Sequence, residues 1–299
     1  MKRLLRALKS PRKIFEYLLN KPFFTFLSDK TFLKLKYYFK IGKRPNLKSP
    51  TLFNEKMQWL KLNDRKDIYT QMVDKYAVKQ LVAEKIGEEY LIPTIGVWEK
   101  FEDIDFEKLP NQFVLKTTHD SGTVVICKDK QSFDMDAARK RINARIGYNY
   151  YYHCREWPYK NAKPRIIAEE FMQDRDFPVL NVFKVFNFNN GEQIIQAIQN
   201  DKTPLERIDY FDTKWTKLAL RQNYANSEIP LPKPETLEKM LEISKKLSRG
   251  FPFLRTDFYE INGKLYFSEF TFYSDAGFAY FDPPEWDEIL GDRIKLKNL

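Results

Sequence analysis

Two hydrophobic patterns divide the chain: apolar residues recur at helical spacing through its first third and alternate at strand spacing through much of the remainder. Leu4, Leu5, Leu8, Ile14, Phe15 and Leu18, set among basic residues, predict an interrupted amphipathic helix over residues 1–20, with Pro11 at a break or a helix start. A second basic, aromatic helix is expected over 31–41, ended by Gly42 and Pro45. Residues 52–60 follow with helical spacing and Thr51 as the expected N-cap, and 67–86 reads as one further helix stopped by Gly87. Strands are expected at 90–98, 113–116, 165–172, 179–188 and 193–199, with helices at 133–146 and 235–248.

The pattern is sharpest near the end of the chain. Residues 253–261 and 264–271 alternate around Asn262-Gly263, a dipeptide that favours a two-residue hairpin turn because both of its positions tolerate positive φ. Counting outward from the turn brings Asp257 and Glu269 to roughly opposed positions, and alternation can set both on one face. Such a pair either decorates an exposed sheet or flanks a cation. Mg²⁺ is the natural candidate for the second case, being a hard ion that shares oxygen ligands with nucleotide phosphates.

Composition narrows the setting. The 299 residues suffice for about two domains, and no apolar run approaches the roughly twenty residues of a membrane span. Lys9, Arg12 and Lys13 interrupt what would have to be a signal-peptide core. Cys127, Cys154, His119 and His153 supply neither a disulfide framework nor zinc spacing, so a cytoplasmic chain is expected. The net charge of +10 is concentrated: residues 1–48 hold fourteen Lys or Arg against Glu16 and Asp29. A segment of that kind attracts anionic lipid, an acidic polymer or nucleic acid, and no nucleic-acid-binding motif supports the last. It either makes peripheral contact with the inner face of the cell membrane or packs on the body with its basic side in water.

Candidate chemistry appears along the middle of the chain. Lys116 ends an apolar strand, a costly place for an ammonium unless it meets an anion. The small polar turn that follows, with Ser121, Gly122 and Thr123, offers N–H groups and hydroxyls that can cradle phosphate oxygens. Glu169 and Glu170 end one expected strand, and Lys184 lies within the next. Tyr148, Tyr150, Tyr151, Tyr152, Trp157 and Tyr159 stand beside Arg155, Lys160 and Lys163, and either stack on sugars or form a packed core edge.

A strand lysine, a small-residue loop, a strand ending in paired glutamates, a second strand lysine, and Asp and Glu on a terminal hairpin follow one another in that order. This order resembles the ATP-grasp family, and more closely the TupA-like (teichuronopeptide biosynthesis) branch associated with bacterial surface polysaccharides. The strings that carry the resemblance include Asp74-Lys75-Tyr76-Ala77-Val78, Gln112-Phe113-Val114-Leu115-Lys116, Glu156-Trp157-Pro158-Tyr159-Lys160-Asn161, Pro164-Arg165-Ile166-Ile167-Ala168-Glu169-Glu170 and Gly250-Phe251-Pro252-Phe253-Leu254-Arg255-Thr256-Asp257. It runs from about residue 50 to the C-terminus.

The resemblance implies an α+β ATP-grasp fold, two α+β subdomains sandwiching ATP, divided as a basic helical region 1–70, a small lid subdomain 71–165 and a C-terminal subdomain 166–299. It implies that Lys116 and Lys184 contact ATP phosphates, that Ser121-Gly122-Thr123 closes over them, and that Glu169, Glu170, Phe171 and Met172 form the hinge against adenine. Asp176 would meet the ribose hydroxyls, Asp257, Glu269 and Thr271 would hold Mg²⁺, and Arg255 would bind the reacting carboxylate or its phosphate. Thr271 stands where many ATP-grasp enzymes carry asparagine, and Thr123 where the branch tends to have glycine. The implied activity is an ATP-dependent carboxylate–amine ligase that forms an amide through an acyl phosphate in capsule or other surface-polysaccharide assembly. Its partners would be an acidic sugar or polysaccharide carboxylate and an amine. Two other classes compete: a glycosyltransferase, for which Asp103-Ile104-Asp105 is the available DxD string, and a non-catalytic module that binds acidic polysaccharide.

Overall fold

The computed structural model describes residues 11–297, so Leu4, Leu5, Leu8 and the basic residues before Pro11 lie outside the described residues. Helix α1 (Pro11–Leu19) and helix α2 (Asp29–Ile41) are joined through a 3₁₀ turn, Pro22–Phe26. Ser28 caps α2, its hydroxyl oxygen accepting from the Thr31 N–H at 3.3 Å, and Gly42, at φ +89°, ends it. Leu19, Phe32, Leu33 and Tyr37 form a small core with Cys154 and Phe278, which fastens this segment to the body.

Helices α3 (Phe53–Asn63), α4 (Ile68–Val73) and α5 (Ala77–Ile86) follow. Two expectations are corrected here. Thr51 is not the N-cap of α3: Glu55 reaches back to accept from the Thr51 and Leu52 N–H groups at 3.3 and 3.5 Å. The single helix expected over 67–86 is broken at Asp74-Lys75-Tyr76, where Asp74 Oδ1 accepts from the N–H groups of Tyr76 and Ala77 at 2.9 and 3.0 Å. An aspartate offering local acceptors competes with the i→i−4 ladder and starts a new helix.

Strands β1 (Thr94–Trp98), β2 (Phe113–Thr117), β3 (Val124–Cys127) and β4 (Ile166–Glu170) form an antiparallel sheet in the order β1-β4-β2-β3. Helix α6 (Met135–Ile146) packs Ala138 and Ile142 onto its Phe113, Leu115, Ile166 and Ala168. The short helix α7 (Tyr151–Cys154) leads back toward β4. The boundary drawn at 165/166 is also corrected, since β4 pairs with β1 and β2 in this smaller sheet.

The larger sheet contains β5 (Val182–Phe188), β6 (Gln193–Gln199) and β7 (Arg207–Phe211). After the two-residue strand β8 (Arg221–Gln222) and helix α8 (Leu237–Leu247), β9 (Phe253–Ile261) and β10 (Lys264–Thr271) complete it. Its order is β10-β9-β5-β6-β7, all antiparallel, and β11 (Phe281–Asp282) pairs with β8. Leu237, Met240, Ile243 and Leu247 of α8 share one core with the sheet and with Phe53, Met57 and Leu60 of α3. Among the described residues no helix is long and apolar enough to cross a membrane.

Helix α9 (Trp286–Asp292) packs on α3 at a point where only glycine fits. A Cβ on Gly291 would meet the Thr51 carbonyl oxygen at 2.1 Å and the Phe53 nitrogen at 2.9 Å, both main-chain atoms that cannot rotate away. Gly291→Ala is therefore expected to cost about 3 kcal/mol, the upper range for overpacking, read as a lowered urea midpoint at unchanged slope.

Candidate functional site

A cavity of about 450 Å³ opens between the two sheets. The smaller sheet contributes Lys116, Ser121, Gly122 and Glu169 to its wall, and the larger contributes Lys184, Arg255, Asp257, Glu269 and Thr271. Strand register sets the second group. Lys184 of β5 lies opposite Asp257 of β9, and Asp257 lies opposite Glu269 of β10, so the three form one row across the sheet face.

That row depends on a bulge. The hairpin pairs Phe267 with Phe258 and then Glu269 with Asp257, leaving Ser268 as the extra residue. Regular pairing would set residue 268 against 257 and turn Glu269 to the opposite face, because a one-residue slip inverts every side chain.

The row is strongly charged. Asp257 is 2% exposed, and its two oxygens accept from Arg255 Nε and Nη2, each at 2.7 Å, with Lys184 Nζ 3.7 Å away. Arg255 Nη2 also donates to Thr271 Oγ1 at 2.9 Å and Nη1 to Ser274 Oγ at 3.3 Å. Burial works against the Arg255 charge, but Asp257 and Glu269 outweigh it and raise the guanidinium pKa. Burial likewise opposes the Glu269 charge, and Lys75, Lys184 and Arg255 together hold that carboxyl below the usual range. Glu269 has no ion-pair or hydrogen-bond partner among the described residues and remains ionised in a field of cations.

Across the cavity, Glu169 bridges two lysines, Oε1 to Lys79 and Oε2 to Lys116, both at 2.5 Å. Burial disfavours the Lys116 charge, yet Glu169 more than compensates and raises its pKa. The Glu169 side chain is thus occupied in holding Lys116 toward the cavity. Lys75 enters through the break between α4 and α5, and its ammonium donates to the Asp120 carbonyl. Burial lowers its pKa, opposed by Glu269 and Asp120.

The loop after β2 is built around Asp120, whose side chain is fully buried. It accepts from the Thr117 hydroxyl, from Thr123 Oγ1 at 2.6 Å and from Arg145 Nε at 2.8 Å. Thr123 consequently faces inward and anchors the loop, while Ser121 and Gly122, the latter at φ +89°, line the cavity.

Other expected residues are not gathered here. Glu170 is exposed, and Phe171 and Met172 are half-buried outside the cavity wall. Asp176 is exposed on the following loop, where Asp174 accepts from its N–H at 2.9 Å. Asp103 and Asp105 of the DxD string are exposed on the outside of the smaller subdomain, with Asp105 paired to Lys108 at 2.8 Å. The aromatic cluster divides: Tyr150 and Tyr159 line the cavity, whereas Tyr151 bonds to Asp29 of α2 and Arg155 lies 4.5 Å over the Phe32 ring.

Sequence reasoning missed Lys75, Lys79, Glu156, Asp201 and Lys202. The two lysines at 75 and 79 were hidden inside an apparently continuous helical pattern; the signal that was available is the capping aspartate just before Lys75. Among the described residues no three His, Cys, Asp or Glu side chains come together as a metal cage. Asp257 and Glu269 offer a two-carboxylate edge, with Glu269 unpartnered. That donor set fits Mg²⁺, which completes its shell with phosphate oxygens and water.

No curated protein matches the chain. D-alanine–D-alanine ligase from Bacillus anthracis, solved with ATP, is similar at 18% identity and TM-score 0.39, over 67% of this chain and 54% of that one. D-Alanine–D-alanine ligase from Helicobacter pylori is similar at 16% identity and TM-score 0.45, over 81% of this chain and 69% of that one. N5-carboxyaminoimidazole ribonucleotide synthetase from Thermus thermophilus is similar at 12% identity and TM-score 0.38, over 81% of this chain and 52% of that one. The chain spans just over half the length of the first of these. The profile described as TupA-like ATPgrasp matches residues 55–295, which is most of the sequence and contains every cavity residue from both sheets. The chain belongs to the TupA-like ATP-grasp family.

Proposed function

We propose that the protein is an ATP-dependent carboxylate–amine ligase that joins an amine to an acidic sugar or polysaccharide carboxylate during assembly of a capsule or other bacterial surface polysaccharide. The observation that carries this reading is the row Lys184–Asp257–Glu269, with Arg255 beside it, facing Lys116 and the Ser121-Gly122 turn across one cavity. ATP-grasp enzymes are ATP-dependent ligases that form C–N bonds and use Mg²⁺. Cations on both walls match a triphosphate, and a two-carboxylate edge matches its metal.

Each side chain then has a physical task. Lys116, held by Glu169, and Lys184 neutralise phosphate oxygens, and the Ser121-Gly122 turn presents main-chain N–H groups. Asp257, Glu269 and the weaker Thr271 hydroxyl would hold Mg²⁺, which would supply neutralising charge to the phosphates. Arg255, locked by Asp257, Thr271 and Ser274, sets a fixed guanidinium beside the reacting carboxylate. The γ-phosphoryl group moves to a carboxylate oxygen, and an amine then displaces phosphate from the acyl carbon. The hinge role of Glu170, Phe171 and Met172 and the ribose role of Asp176 rest on the family resemblance alone.

The same reading sets the enzyme in the cytoplasm, with its basic N-terminal segment toward the inner face of the membrane. Phe15, Phe23 and Phe26, 52%, 75% and 71% exposed, support that orientation.

The test is a thermal-shift comparison of ATP–Mg²⁺ with UDP-glucuronic acid, followed by mass spectrometry of the product. ATP–Mg²⁺ at about a hundred times its Kd should stabilise the protein by about 2.7 kcal/mol, and Lys184→Met should abolish most of that shift. An amide formed with an equal amount of ADP is the expected product. A glycosyl product formed without ATP consumption overturns the reading.

A further inference from the structure

The cavity continues past Tyr150 and Tyr159 to a second end, where Asn20, Lys36 and Lys40 of the N-terminal segment meet His153 and Glu156. Asn20, Lys36 and Lys40 lie outside the residues matched by the family profile.

Glu156 is the unusual group there. It is 7% exposed and faces the cavity, yet it has no ion-pair or hydrogen-bond partner for its carboxylate. It shares that lack of a partner with the half-buried Glu269 of the metal edge, whereas the other fully buried carboxylates among the described residues each have one, as Asp74 has Arg165 and Asp209 has Lys217, each at 2.7 Å. The neighbouring ammonium groups are engaged elsewhere. Lys36 Nζ donates to Asn20 Oδ1 at 2.7 Å and to the His153 carbonyl, and Lys61 Nζ donates to the Ala276 carbonyl at 2.7 Å and to Gln58 Oε1 at 3.2 Å. Burial raises the Glu156 pKa above the usual carboxylate range, opposed by Lys61, His153 and Lys36.

A buried carboxylate with free acceptor sites is costly unless a ligand supplies the proton donor. Glu156 repels an incoming carboxylate and accepts an ammonium. Lys36 and Lys40 in the same wall repel a simple cation, so the wall as a whole suits an amine that also carries an anionic group.

Resting on the ligase reading above, we propose that this end of the cavity is the subsite for the amine co-substrate, an anion-bearing primary amine, and that Glu156 takes its proton. One proton passes from the ammonium to the Glu156 carboxylate. The nitrogen then bonds the acyl carbon, the C–O bond to the phosphoryl group breaks, and the second N–H proton leaves with phosphate as hydrogenphosphate. The N-terminal helices complete the subsite by supplying Lys36 and Lys40.

Hydroxylamine separates this step from the first half of the reaction, because it is already unprotonated at neutral pH and needs no base to trap an acyl phosphate. The full chain is incubated with ATP–Mg²⁺ and either D-glucuronate or polygalacturonate, then with hydroxylamine, glycine, glucosamine 6-phosphate or ethanolamine. Glu156→Gln is expected to keep hydroxamate formation within about twofold of wild type and to lose about 10²-fold in amide formation from glycine or glucosamine 6-phosphate. Glu156→Asp should recover part of that loss. Ethanolamine, without an anionic group, should be the poorest amine for wild type. Equal slowing of hydroxamate and amide formation by Glu156→Gln, or slowing of neither, overturns the assignment. Absence of any hydroxamate from wild type with both carboxylates counts instead against the ligase reading, and the amine subsite falls with it.

Discussion

Glu269→Gln is expected to lower ATP turnover by about 10²–10³-fold, the size of effect produced by removing one charge-stabilising group from an active site. Asp257 already has both oxygens committed to Arg255, whereas Glu269 has none committed, so Glu269 is the carboxylate with coordination capacity to spare. Glutamine keeps the shape and the bulge at Ser268 but removes the charge that Lys75, Lys184 and Arg255 stabilise. The fold should survive, since Glu269 makes no structural bond. ATP should still bind through Lys116 and Lys184, and the Mg²⁺ concentration needed for half-maximal ADP formation should rise. Full turnover retained by both Glu269→Gln and Asp257→Asn would remove the metal from this edge.

The largest effect on stability is expected from Asp120→Ala, at about 3–5 kcal/mol, the cost of removing one partner from a buried charged network. Asp120 is fully buried and satisfies Thr117, Thr123 and Arg145 at once, while its carbonyl holds Lys75. Without it, a hydroxyl pair and a guanidinium are left without acceptors, and the Ser121-Gly122 turn loses its anchor. Urea denaturation measures the loss, and the KM for ATP should rise in parallel. The effect also has a pH signature. Burial raises the Asp120 pKa, but the hydroxyl bonds of Thr117 and Thr123, with Lys75 and Arg145, hold it below its ordinary value near 3.8. A carboxyl depressed on folding stabilises the protein above its unfolded pKa and loses that contribution as pH falls through the folded one. Wild type should therefore lose stability below about pH 4 more steeply than Asp120→Ala. Equal slopes would show that Asp120 is not the ionised hub.

Much of the local structure was legible in the sequence because it is encoded locally. The strand over 193–199 appears as Gln193–Gln199, and the helix expected at 235–248 as Leu237–Leu247. Asn262 and Gly263, at φ +51° and +75°, make the turn that the dipeptide requires. The break at Asp74 was not legible, because apolar periodicity runs on through it and the capping side chain reads as one more polar position.

By itself the sequence determined the charges of the site and their order along the chain: Lys116, Glu169, Lys184, Arg255, Asp257 and Glu269. It also determined the hairpin that carries the last three. Tertiary structure alone decided how those charges are arranged. One bulged residue turns Glu269 to the same face as Asp257, pairing in the smaller sheet brings Glu169 to Lys116, and a helix break delivers Lys75. The N-terminal helices close the far end of the cavity around a carboxylate with no partner. Periodicity acts within a segment, whereas register and pairing depend on which distant segments bury one another, and no single stretch of this chain records that.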